Sequence, residues 1–108
     1  MSEVPLGDGF LDIPKIVSMV REKKPSVKIT LEMITRDPLK VPCLTAKYWA
    51  TFPERNGWPL ARTLRMVAAN PPRKPLPRME GRDAAAQRAY ENDNVKLCLA
   101  YSKEKLGL

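Results

Sequence analysis

SVKITLEMI, residues Ser26–Ile34, is the stretch whose reading decides the fold: Val27, Ile29, Leu31 and Met33 alternate with Lys28, Thr30 and Glu32 before Ile34 closes the run. Successive side chains of an extended chain point to opposite faces, so this period of two predicts a strand with one apolar and one more polar face. Glu32 falls near the C-terminal end of that strand, on the polar face. A carboxylate in that place raises the question of what it serves.

Upstream, Gly7-Asp8-Gly9 reads as a turn or loop. A helix is predicted to follow. Asp12 is a good N-cap, Pro14 is tolerated in a first turn, and Ile13, Ile16, Val17 and Val20 form one apolar stripe. Lys23 and Lys24 complement the dipole at its C-terminal end, and Pro25 stops it. Helix, short loop and strand make half of a βαβ unit, so the preceding strand is expected before Met1.

Downstream, Asp37-Pro38 and Val41-Pro42 break regular structure, and TAKYWATF, residues Thr45–Phe52, suits a short helix or turn carrying Tyr48, Trp49 and Phe52. A second helix is predicted over PLARTLRMVAAN, with Pro59 at its start, Leu60, Leu64 and Val67 on one face, and Asn70-Pro71 at its end. Residues 71–81 are rich in proline and read as a linker. From about Arg82 to Leu106 the composition favours a long helix, with Tyr90, Leu97 and Tyr101 on its buried side and Gly107 closing it. The chain thus divides into helix–strand–helix units over residues 1–70, the linker over 71–81 and a C-terminal helix over 82–108.

With 108 residues the chain has room for one domain with a modest core. Its net charge of +7 comes from 19 basic and 12 acidic residues, with the densest basic mixture at Arg73, Lys74, Arg78 and Arg82. Acids such as Glu80 and Asp83 interrupt it, and no nucleic-acid motif accompanies it, so no specific nucleic-acid partner is expected. Cys43 and Cys98 lie outside any zinc-ligand spacing and make no disulfide framework, which suits a reduced, cytoplasmic chain. No secretory leader and no membrane span is read in the sequence. Histidine is absent altogether, so acid–base chemistry in this chain falls to carboxylates, lysine, tyrosine or cysteine.

GDGFLDIPKIV, residues 7–17, followed by KITLEMITRDPLKVPCLTAKYWATF, residues 28–52, resembles the C-terminal portion of the sugar phosphate isomerase/epimerase family, the xylose isomerase-like barrels. The resemblance implies an α/β fold: a C-terminal fragment of a (β/α)8 TIM barrel, mostly helical here, with about one core strand. It implies that the glycine loop follows the seventh strand and that Glu32 ends the eighth. Glu32 would then be a ligand for a divalent metal (manganese, magnesium, zinc or cobalt) and a catalytic proton-transfer base, in a complete barrel acting on a sugar or sugar-phosphate substrate. Partner ligands on the earlier strands have no counterpart in these 108 residues, so the chain is expected to be inactive alone and to self-associate or pair with another fragment.

Other residues keep two readings. Arg36 either grips a substrate phosphate or carboxylate, or makes a salt bridge to Asp37 or Glu32. Tyr48, Trp49 and Phe52 either line a sugar pocket or bury a loop or subunit interface. Lys40 and Lys47 read as solvated charges, and Cys43 as a small packing residue. A non-enzymatic basic binding or assembly module is the competing function.

Overall fold

The computed structural model describes residues 1–108 and is all-helical. It contains α1 (Ile13–Lys23), α2 (Trp58–Ala69) and α3 (Ala84–Tyr101), and α3 runs on into a π-helical turn, Ser102–Leu106. No helix is long and apolar enough to cross a membrane.

The helix ends follow local chemistry. Asp12 caps α1 by accepting a hydrogen bond from the Lys15 N–H at 3.0 Å, and Pro14 stands in the first turn. Asp83 caps α3 in the same way, accepting from Ala86 N–H at 2.8 Å. At the far end, Gly107 adopts the left-handed conformation (φ 61°), and its N–H reaches back to the Ser102 carbonyl. A glycine there closes the helix without the Cβ clash another residue would meet.

The expected α/β barrel fragment is overturned, because the structure contains no strand and no sheet. Residues Lys28–Met33 keep the alternating pattern, yet none of their backbone N–H or C=O groups makes a hydrogen bond within the chain. The physical reason is that alternation sorts side chains between two faces, whereas a strand also needs a neighbouring backbone to complete its ladder. No other segment of this chain takes that place.

What core exists lies along α3 and its π-helical turn, where α1 packs against the turn and the N-terminal loop against α3. Val17, Cys98 and Leu106 are its buried apolar residues. Around it the chain wraps loosely: the radius of gyration is 17.1 Å, against about 13 Å for a compact domain of this length. Its accessible surface of 8953 Å² exceeds the roughly 6,100 Å² expected for a folded chain of this mass. Much apolar surface is therefore left uncovered.

The buried side of α3 also differs from expectation. Asn94 and Cys98, one turn apart, are its buried residues, while Leu97 is 56% exposed and Tyr90 and Tyr101 are half-buried. Tyr101 does make a close contact, with its ring against Gly7. A Cβ at Gly7 would lie 2.3 Å from Cε2 of that ring, and Gly7 also has φ 87°, so only glycine fits the loop there. The N-terminal loop is pinned to α3 a second time by Leu6, whose N–H donates to the Cys98 sulfur at 3.4 Å.

Candidate functional site

The segment that carries Glu32 leaves α1 at Lys24, where Val27 N–H closes a turn onto the Lys24 carbonyl at 3.0 Å. It then runs without helix, turn or bend to an anchor built from four consecutive residues, Ile34-Thr35-Arg36-Asp37. Ile34 N–H donates to Glu3 Oε2 at 3.2 Å, and the Arg36 guanidinium pairs with the other oxygen of the same carboxylate. Thr35 is buried, and its hydroxyl oxygen accepts a hydrogen bond from the Asn94 side-chain amide at 2.9 Å. Asp37 accepts from the N–H groups of Met79 and Glu80, at 3.2 and 3.1 Å. Met1 and Leu39 exchange a further pair of backbone hydrogen bonds, at 2.8 and 2.7 Å. The N-terminus, the end of the proline-rich stretch and α3 are thus gathered around one short motif.

In this arrangement the Arg36 guanidinium forms an ion pair, but with neither of the two neighbours expected. Its partner is Glu3, and neither Asp37 nor Glu32. Asp37 spends both oxygens on backbone N–H groups, which fixes the 79–80 turn. Sequence reasoning did not single out Glu3 or Asn94. Their partners lie 33 and 59 residues away, and no local pattern signals a contact of that range.

Glu32 stands two residues before this anchor. It is exposed, and its carboxylate makes no hydrogen bond and no ion pair. No group of three or more His, Cys, Asp or Glu side chains is placed to hold a metal ion. Hard divalent cations take six or more oxygen ligands, commonly with more than one carboxylate. Within this chain Glu32 therefore stands outside any cluster of three or more such side chains. The glycine loop does not add a ligand either, since Asp8 is engaged by the Lys74 ammonium at 2.7 Å.

The aromatic residues form their own cluster. Tyr48, Trp49 and Phe52 pack with ring centroids 4.9 to 5.6 Å apart, across a series of tight turns from Pro42 to Phe52. The Trp49 indole N–H donates to the Cys43 carbonyl at 2.8 Å, which holds the ring in place. Beside it lies an open cavity of about 300 Å³ lined by Trp49, Arg55, Asn56 and Leu60, among others. The basic residues downstream are partly committed. Lys74 is held by Asp8, while Arg82 lies 4.6 Å over the Tyr90 ring and also donates to the Arg78 carbonyl.

Compared with family models, with curated proteins and with solved structures, the chain matches none of them.

Proposed function

We propose that this chain is one component of an isomerase or epimerase acting on a sugar or sugar phosphate, and that it contributes Glu32 as the proton-transfer carboxylate. The reading rests on the wording of residues 28–52, and the observation that carries it is the free state of Glu32. A general base needs an uncommitted carboxylate within reach of the substrate proton, and Glu32 is exposed and unpaired beside a fixed anchor. In such a reaction the carboxylate takes the proton from the carbon next to the substrate carbonyl. In an isomerase the proton is then returned to the former carbonyl carbon while the hydroxyl proton passes to the former carbonyl oxygen; in an epimerase an acid on the opposite face, supplied by additional polypeptide, protonates the carbon and Glu32 releases its proton to solvent.

Arg36 has a conditional part in this reading. Its guanidinium already holds a carboxylate in a charge-assisted pair with Glu3, and a substrate phosphate of similar geometry would displace that carboxylate. Further groups must come from additional polypeptide, for which the uncovered apolar surface of this chain provides the contact area. The test is deuterium wash-in from solvent into a ketose phosphate, using the assembly isolated with the chain from its own cells. Wash-in by the wild-type assembly, falling on the order of a hundredfold or more in Glu32→Gln with the same composition, is expected. Equal wash-in by both, or none from an assembly that contains the chain, would defeat the proposal.

A second reading, a non-enzymatic basic assembly module, is favoured by α2. That helix buries none of its residues, and Trp58, Leu64 and Val67 are 74%, 44% and 59% exposed. On this reading Leu64→Asp abolishes the binding of a partner to α2, while Glu32→Gln leaves that binding unchanged.

A further inference from the structure

Lys28–Met33 is the longest stretch between α1 and the Ile34–Asp37 anchor whose backbone has no partner on either edge. It is held at both ends, by the Val27 turn onto Lys24 and by the Glu3 and Asn94 contacts of Ile34 and Thr35. Lys28, Ile29, Thr30 and Glu32 are exposed, and Leu31 and Met33 are half-buried. A segment in this condition presents a row of free N–H and C=O groups, the template for pairing with another strand. Because its ends are fixed, part of the entropy cost of ordering it is already met by the fold.

We propose that this segment pairs antiparallel with the same segment of a second copy of the chain, about a two-fold axis through Thr30. The sequence specifies the register. Centred on Thr30, Lys28 lies opposite Glu32 of the second copy and Glu32 opposite its Lys28, so two cross-strand charge pairs form by symmetry. On the other face Ile29 meets Leu31 and Val27 meets Met33. About six backbone hydrogen bonds would join the two segments through Lys28, Thr30 and Glu32.

Competing registers lose these matches. A parallel, in-register pair sets Lys28 against Lys28 and Glu32 against Glu32, which is repulsive. A shift of one residue sets each polar side chain opposite an apolar one and mixes the two faces. A shift of two leaves Lys28 opposite Thr30 or Ile34 and forms no charge pair. The segment is neutral within a chain of net charge +7, so it is a place where two copies can approach without local repulsion. The inference does not depend on the isomerase reading. In the paired state Lys28 of the second copy engages Glu32, so pairing and a free Glu32 carboxylate exclude one another.

Sedimentation equilibrium of the full chain at low salt tests the register directly. Lys28→Glu and Glu32→Lys each place two like-charge pairs across the axis, and each is expected to weaken association about tenfold or more. An equimolar mixture of the two variants restores both pairs between unlike copies, and is expected to recover wild-type affinity as a heterodimer. In a Cys43→Ser background, Thr30→Cys is expected to give an oxidised dimer, while Thr51→Cys, on an exposed turn elsewhere, is not. Circular dichroism confirms that the helices are retained in each variant. A wild-type chain that stays monomeric, single variants that associate as wild type does, a mixture no tighter than either variant alone, or equal crosslinking at positions 30 and 51 would each overturn the proposal.

Discussion

α3 and α2 carry apolar residues at helical spacing, yet they meet opposite surroundings. α3 receives the N-terminal loop at Cys98 and Tyr101, the 34–37 anchor at Asn94, and α1 at its terminal π-helical turn, where Arg21 donates to the carbonyls of Leu106 and Gly107 at 3.2 and 3.3 Å. α2 has the more regular apolar face, Leu60, Leu64 and Val67, and buries nothing. Its Asn70 side chain turns back on its own helix, donating to the Met66 carbonyl at 2.8 Å. The difference teaches that an amphipathic pattern marks a helix without deciding whether anything covers it. A helix with a weaker pattern becomes the hub when polar groups from distant segments converge on it.

The contrast can be broken most forcefully at glycine. Gly7→Ala forces a left-handed residue and drives a methyl group into the Tyr101 ring, so it is expected to destabilise the hub by about 4 kcal/mol. Gly57→Ala, at the start of α2 with nothing within 4 Å, is expected to change stability little. Urea unfolding followed by circular dichroism compares the two. A Gly7→Ala chain as stable as wild type would mean that the loop does not pack on α3.

Next in size comes leucine truncation. Leu106 is 8% exposed, and Leu106→Ala is expected to cost about 3 kcal/mol. Leu64 is 44% exposed, and Leu64→Ala should cost under about 0.5 kcal/mol in the isolated chain. Equal losses in thermal melts would show that α2 is covered after all.

A smaller effect belongs to the buried amide. Asn94→Ala strips the Thr35 hydroxyl of its partner in a buried place and is expected to cost about 2 kcal/mol. Asn70→Ala, which removes only an exposed bond, should lie within about 0.5 kcal/mol of wild type. Hydrogen exchange sharpens the result, because Asn94→Ala should speed exchange in both α3 and the 34–37 segment.

The smallest effect is electrostatic. Arg36 and Glu3 pair with side chains 44% and 36% exposed, where water and salt screen the attraction. Arg36→Ala is expected to cost less than about 1 kcal/mol, and the loss should shrink as salt rises. A larger, salt-insensitive loss would make the pair part of the hub's core.

The candidate site was legible in the sequence only in part. Glu32 could be singled out because it interrupts an apolar run, and the structure leaves it exposed. Its surroundings were not legible. Arg36 was weighed against near neighbours in sequence, and its partner is Glu3, 33 residues away. Asn94 is a polar residue within a helix, and nothing local distinguishes it from a solvated one until Thr35 arrives from the other end of the chain.

What the sequence determined by itself was where helices start and stop. Asp12, Pro14 and Pro25 bound α1, Pro59 and Asn70 bound α2, and Gly107 closes the turn after α3, because capping and chain-breaking are settled among residues a few positions apart. What only the tertiary structure decided was the state of Val27–Met33 and the choice of α3 as hub. A strand exists only when a second backbone completes its hydrogen bonds, and a helix face is buried only when another segment reaches it. Here the contacts that anchor this segment and the loop to α3 span 59 and 92 residues, distances over which local propensity carries no information.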